Sequence, residues 1–216
     1  MLNKKLDIIF PPVCGVCGRI DRNSLCNKCN IQLKNQEVFG IDNYIDDYEK
    51  YYDEHLYIFM YSGVVRKILI DYKFNDCSFI YKTFTNFILK NEKFVENIKS
   101  YDIIIPVPLS KKRKKERGYN QSELIAKEIC RLTNLKLNTK SLKKIKNITE
   151  QSTLNKEKRE TNIKDAYCLK FPSTVVNKKV LIIDDVYTTG STVNECSKLI
   201  KNAGSKQIGI LTIAKD

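Results

Sequence analysis

Asp184 and Asp185 stand side by side after the apolar run Val180 to Ile183, and Thr188, Thr189, Gly190, Ser191 and Thr192 follow them. The run reads as a short strand buried on both faces. A helical pattern starts directly after the hydroxyl-rich turn, with Val193, Cys196, Leu199 and Ile200 on one face. A strand, turn and helix in this order aim backbone N–H groups at one point. The helix start adds partial positive charge there, so a phosphate is favoured. Gly190 permits close backbone approach, and the hydroxyls can donate further bonds. Two carboxylates would repel that phosphate. They suit sugar hydroxyls, which donate, or a divalent cation. A ligand with a phosphate at one end and a diol nearby is a ribose 5-phosphate.

A second constellation lies near the start. Cys14 and Cys17, then Cys26 and Cys29, form two C-x2-C pairs eight residues apart. Each pair can make a tight knuckle, and two knuckles supply four thiolates to a tetrahedral site. Soft ligands in that geometry point to zinc. No ligand position is left open, so the ion would be structural. A redox dithiol, the alternative, needs one such pair in a thioredoxin-like context, which is absent. A module this small has little core of its own, so the metal would hold it together.

A third feature is the run Lys111 to Arg117, KKRKKER, with six positive charges and one negative. It follows YDIIIPVPL, residues 101 to 109, a buried strand with a stiff Pro106-x-Pro108 exit. The run therefore belongs at the carboxyl end of a strand, the edge where open α/β sheets bind ligands. Lys111, Lys112, Arg113, Lys114, Lys115 and Arg117 are candidates for contact with a polyanion. A solvated charged loop is the plainer reading.

The elements that position these groups can be read in outline. The chain has 216 residues, 42% of them hydrophobic, which suits one domain plus a small module. No apolar run is long enough for a membrane span, and the opening MLNKKLDIIFPP is too short in its apolar part for a signal peptide. A cytoplasmic protein is expected. Net charge is +13, yet only seven of 38 basic residues are Arg. Lys-rich composition and a polyanionic partner both explain it. Eight Cys in such a chain do not imply a disulfide scaffold; Cys77, Cys130, Cys168 and Cys196 read as small core residues.

Residues 1–35 read as the zinc module, 36–56 as an acidic, tyrosine-rich connection, and 57–216 as the main domain. His55 receives no role. Residues 57–74 give a strand, a turn at Ser62-Gly63 and a helix closed by Lys73. Residues 78–98 read as one long amphipathic helix, with Phe79, Phe84, Phe87, Ile88 and Phe94 in the core. A helix follows over 121–133, a short strand near Leu135 to Leu142, and a long polar segment to residue 166. Tyr167 to Phe171, Val180 to Ile183 and Gln207 to Ala214 read as strands, with a helix over Val193 to Asn202. Strands alternating with helices predict an α/β fold with a mostly parallel sheet covered on both faces.

The stretch VLIIDDVYTTGST resembles the phosphoribosyl pyrophosphate (PRPP) motif of type I phosphoribosyltransferases. The resemblance implies that two acids hold the ribose hydroxyls and that the following loop holds the 5-phosphate. Here those positions are Asp184, Asp185, Val186, Thr188, Thr189, Gly190, Ser191 and Thr192. The family also carries a flexible loop that folds over bound PRPP, in the place of the polar segment. Taken in order, the cysteine module, YSGVVRKILIDYKF, PVPLSKKRKKERGYNQS, TEQSTLNKEKRETN and the PRPP stretch resemble the ComF (competence protein F) family. That resemblance implies a type I phosphoribosyltransferase-like (Rossmann-like) domain behind a zinc finger, structural Zn2+, and Mg2+ with PRPP. It also implies a link to natural competence and imported single-stranded DNA, with partners such as a DNA-translocating helicase. Two functions stay open, beside a third reading as a zinc-mediated interaction module carrying a degenerate enzyme domain. In one, the chain binds PRPP and handles single-stranded DNA. In the other, it is an active phosphoribosyltransferase without DNA contact. Asp184 and Asp185 would then orient the ribose, Lys73 contact pyrophosphate, and Arg117 neutralise the leaving charge.

Overall fold

The computed structural model describes residues 13–14, 16–21, 25–75, 77–146 and 165–216. Helix α1 spans Asn27–Lys34, and strands β1 and β2 span Glu37–Asn43 and Glu54–Met60. Then come α2 (Gly63–Phe74), α3 (Tyr81–Lys90), α4 (Glu92–Lys99) and β3 (Ile103–Pro106). Helices α5 (Lys111–Arg117) and α6 (Gln121–Thr133) follow, then β4 (Lys136–Leu137), β5 (Leu142–Lys144) and β6 (Tyr167–Leu169). The chain closes with β7 (Lys179–Tyr187), α7 (Ser191–Asn202) and β8 (Gln207–Lys215).

Six strands form one sheet in the order β1-β2-β8-β7-β3-β4. Only the β1–β2 pair is antiparallel. Strands β5 and β6 make a separate antiparallel pair. Along the chain, β3 is followed by β4 on one side and later by β7 on the other. The strand order thus reverses between β3 and β7, and ligands of open α/β sheets bind outside the carboxyl ends of strands at such a point. Asp184 and Asp185 lie at that end of β7, and the exit of β3 leads into the basic run.

Alternate residues of each strand enter opposite cores. Leu181 and Ile183 of β7 join Leu211 and Ile213 of β8 under α2, α3, α4 and α6. Val180 and Ile182 join Ile208, Ile210 and the apolar face of α7 on the other side. Helix α2 leaves β2, yet its end reaches β7, two strands further along the sheet, so it lies across the carboxyl edge.

Several expectations change. Residues 78–98 are a 3-10 turn (Ser78–Ile80) and two helices. Asn91 breaks the pattern: its own backbone is extended, and its side chain accepts from Phe94 N–H at 3.1 Å, capping α4. Phe84, Phe87, Ile88 and Phe94 are buried, and Phe79 is partly so. The stretch read as a connection, 36–56, contains β1, the sheet's edge strand. The expected strand near Leu135 to Leu142 is two pieces, β4 and β5. The central strand is longer than Val180–Ile183, because β8 runs beside it as far as the Tyr187–Lys215 pair. The basic run is a helix: Ser110 caps it by accepting from Arg113 N–H at 3.3 Å, and Gly118 ends it at φ +79°. The motif TEQSTLNKEKRETN and the expected flexible loop lie mainly outside the described residues.

The cysteine module docks on the main core. Val16, Leu25 and Leu33 join the same apolar cluster as Leu56 and Ile58 of β2. Leu33 is fully buried. Leu33→Ala is therefore expected to destabilise the whole chain by about 2–5 kcal/mol in urea unfolding. An unchanged unfolding midpoint would mean that the module docks without supporting the main domain.

Candidate functional site

The acidic pair is held by α6. Gln121 Nε2 donates to Asp185 Oδ2 at 2.8 Å, and Ser122 Oγ donates to Asp184 Oδ1 at 3.0 Å. Those are the first two residues of α6, so both carboxylates sit at its positive N-terminus. Asn120 caps that helix by accepting from Ser122 N–H at 3.1 Å, and its amide donates to Val107 O at 3.0 Å. The cap thereby ties α6 to the exit of β3. Tyr119 OH donates to the Tyr72 carbonyl, and Tyr72 OH to the Gln121 carbonyl at 2.9 Å, fastening the end of α2 to the same turn.

Lys73 enters from α2, and its Nζ lies 3.0 Å from Asp185 Oδ1. Asp185 is thus engaged on both oxygens and almost wholly buried. Asp184 is more open. Its Oδ1 also accepts from Asp185 N–H at 2.9 Å. Burial, then the neighbouring Asp185 charge, raises the Asp184 carboxyl to about 7, against the opposing pull of Lys73, the Asp185 amide and Ser122.

The hydroxyl loop follows at the N-terminus of α7, whose first amides have no intrahelical acceptor. Thr189 Oγ1 and Ser191 Oγ are 2.6 Å apart, and Ser191 N–H donates to Thr189 Oγ1 at 3.3 Å. Thr188 is exposed, whereas Thr189, Ser191 and Thr192 are half-buried. Gly190 sits at φ +74°, and a Cβ there would collide with the Tyr187 ring. Any other residue would lift the loop. Tyr187 is held in turn: its hydroxyl bonds Tyr52 OH at 2.8 Å, and His55 stacks on its ring at 4.3 Å. His55 is fully buried with Nε2 2.8 Å from Thr212 Oγ1, and burial lowers its pKa to about 3, so it packs as a neutral ring. Val186 does not face the loop. Its side chain packs against the core, and its backbone pairs with Ala214.

The candidates drawn from sequence divide accordingly. Asp184, Asp185, Lys73 and the loop Thr188–Thr192 come together at the strand-order reversal. Arg117 does not join the acids. Its guanidinium lies over the Phe74 ring, 5.2 Å from the centroid, and makes no ion pair with either aspartate. Lys111, Lys112, Lys114 and Lys115 are exposed and Arg113 is half-buried. Lys112 and Arg113 face Glu116 at 4.0 and 3.9 Å, and Lys114 meets Glu123 at 3.2 Å. Residue-by-residue reading missed Gln121 and Ser122. The signal was present: Asn-Gln-Ser opens a helix right after a buried strand, where polar side chains must find buried partners.

The four cysteines converge. Their sulfurs all lie within 4.8 Å of one another, and Cys17 Sγ is 3.7 Å from Cys26 Sγ. A tetrahedron with Zn–S of about 2.3 Å requires S···S of about 3.8 Å, so the set fits zinc. Cys14 N–H donates to Arg19 O at 2.7 Å and Gly18 N–H to Cys14 O at 2.9 Å, which closes the first knuckle. Cys26 occupies the residue position before α1, and Cys29 lies in its first turn.

Fold and site define an α/β protein built on a phosphoribosyltransferase-like core. Residues 119–216 match the family model described as "Phosphoribosyl transferase domain". The chain is 28% identical to "Competence protein F" of Haemophilus influenzae, over 91% of this chain and 92% of that one. It is also 28% identical to "Competence protein ComFC" of Streptococcus pneumoniae, over 94% and 80%. "DNA utilization protein YhgH" of Escherichia coli O6:H1 matches at 32% over 53% of this chain and 49% of that one. The purine phosphoribosyltransferase of Pyrococcus horikoshii superposes with a TM-score of 0.39 at 16% identity, over 64% of this chain and 84% of that one. The homologues, the transferase domain and the four-cysteine cluster together support a ComF-family likeness.

Two outcomes are expected. Protein purified without added metal should carry about one zinc per chain, and chelation should lower its unfolding midpoint; metal-free protein of equal stability would remove the assignment. The Asp184 carboxyl is raised by folding, so the native state binds more protons than the unfolded state between roughly pH 4 and 7. The stability that this group contributes is present below pH 4 and lost as pH rises through 7. Asp184→Asn should therefore raise the unfolding temperature at pH 8 and leave it nearly unchanged at pH 4. An equal rise at both would mean that the carboxylate's charge is not what costs stability.

Proposed function

We propose that this chain binds PRPP with Mg2+ at Asp184–Thr192 and serves natural competence by handling incoming single-stranded DNA in the cytoplasm. The observation that carries the reading is the convergence of an acidic pair and a phosphate-type loop at the strand-order reversal. The loop and the N-terminus of α7 hold the 5-phosphate. Asp184 accepts from a ribose hydroxyl. Asp185 holds Lys73, whose ammonium is placed to meet the pyrophosphate end. Asp184, the more accessible carboxylate, would help to hold Mg2+, which when bound would supply positive charge to offset the pyrophosphate. Zinc in the four-cysteine site keeps the N-terminal module folded against the core.

The competence link is supported by the relatives' names, and DNA contact by α5 at the same edge of the sheet. Lys111, Lys112 and Lys115 are exposed there. An active phosphoribosyltransferase without DNA contact is the competing reading. Lys73 beside the pair favours it, because leaving-group charge needs such a cation.

Calorimetry with PRPP and Mg2+, with and without a short oligothymidylate, separates the two. PRPP binding is expected to disappear in the double variant Asp184→Asn, Asp185→Asn, since bonds to charged acceptors contribute about 1.5–3 kcal/mol each. Parent-like binding would refute the site. Changing Lys111, Lys112 and Lys115 to Gln should weaken oligothymidylate binding and flatten its salt dependence by about 0.7 in log–log slope per lost phosphate. Changing Lys99, Lys201 and Lys206, exposed near the opposite edge, should do neither. Equal effects of both sets would reduce DNA binding to diffuse attraction.

A further inference from the structure

Phe74 is the last residue of α2, directly after Lys73, and it is 58% exposed. A large aromatic ring in this position leaves apolar surface in water. One face of the ring is already defined: Arg117, the last residue of α5, holds its guanidinium 5.2 Å from the ring centroid. That contact fixes the ring's orientation. Arg117 itself is incompletely satisfied. Its Nη1 is buried and has no hydrogen-bond partner among the described residues, an expensive state for a guanidinium donor. The place holds an oriented aromatic face and a guanidinium with one nitrogen unpaired among the described residues. The exposed lysines of α5 adjoin it.

From this juxtaposition we infer that Phe74 and Arg117 form a one-nucleotide subsite, in which Phe74 stacks a base of single-stranded nucleic acid and Arg117 takes the adjoining phosphate. The inference rests on the DNA-handling reading above and gives it a specific point of contact. A guanidinium presents paired donors to phosphate oxygens, which lysines do not. A base offers the flat π-face that an exposed phenyl ring lacks, and stacking of this kind tolerates any sequence. PRPP has no base and cannot use the ring. A base in a duplex is already stacked, so the subsite selects single strands. Lys73, the neighbour of Phe74, points to Asp185. The strand therefore passes the mouth of the PRPP site.

The test uses the full chain with two probes, a short oligothymidylate and an abasic oligomer of equal length. Phe74→Ala is expected to weaken oligothymidylate binding by at least about fivefold and to leave abasic binding unchanged. Its salt slope should match the parent's, because no phosphate contact is lost. The chain contains no tryptophan, so Phe74→Trp installs a single indole reporter. It should retain oligothymidylate affinity, and its fluorescence should be quenched by the oligothymidylate and far less by the abasic oligomer. Equal weakening on both probes, or no quenching while anisotropy reports binding, overturns the subsite and leaves DNA binding by α5 standing. If the parent binds neither probe, the nucleic-acid reading falls and takes the subsite with it.

Discussion

The placement of two carboxylates at the start of α6 governs this structure. Adjacent acids at the end of a buried strand repel each other and resist desolvation. They are tolerable here because two helices and their own backbone satisfy them. Helix α6 supplies Gln121 and Ser122, α2 supplies Lys73, and the Asp185 amide bonds back to Asp184. The elements that satisfy the acids are thereby fixed around them. One oxygen set is consumed in building the site, and Asp184 keeps the more accessible carboxylate.

The hydroxyl loop is founded differently. It rests on aromatic packing. Tyr187 lies directly beneath Gly190, with Tyr52 bonded to its hydroxyl and His55 stacked on its ring. The segment 44–53 brings Tyr52 there, and Asn194 of α7 pins that segment by accepting from Tyr51 N–H at 2.9 Å and donating to Glu49 O at 3.0 Å. The height of the hydroxyl loop over the sheet is thus set from outside the motif itself.

What was legible in the sequence follows from range of interaction. The acidic pair with its loop and the cysteine knuckles are local patterns, and their positions could be read from residue type and spacing. So could the parallel α/β alternation and the helix over 121–133. The break at Asn91 was harder, because the apolar period continues through it while a single carboxamide cap decides the backbone. Strand β1 was hidden by composition: Glu37–Asn43 is mixed, and its pairing with β2 decides its state. The roles of Gln121 and Ser122, and the inward turn of Arg117 onto Phe74, depend on partners dozens of positions away. No local pattern carries that information.

Strand order also bears on how the chain is made. Strand β8 sits between β2 and β7, and Glu54 pairs with Gly209, about 150 positions later. During synthesis at roughly 5–20 residues per second, β2 waits some ten to thirty seconds for its parallel neighbour. Meanwhile β2 has only β1 on one side, and its other edge is open to unwanted pairing. The cysteine knuckles and α1 are synthesised before that interval begins, and Leu33 packs into the same cluster as β2. A metal-closed N-terminal module would cover nascent apolar surface while the ribosome completes the sheet.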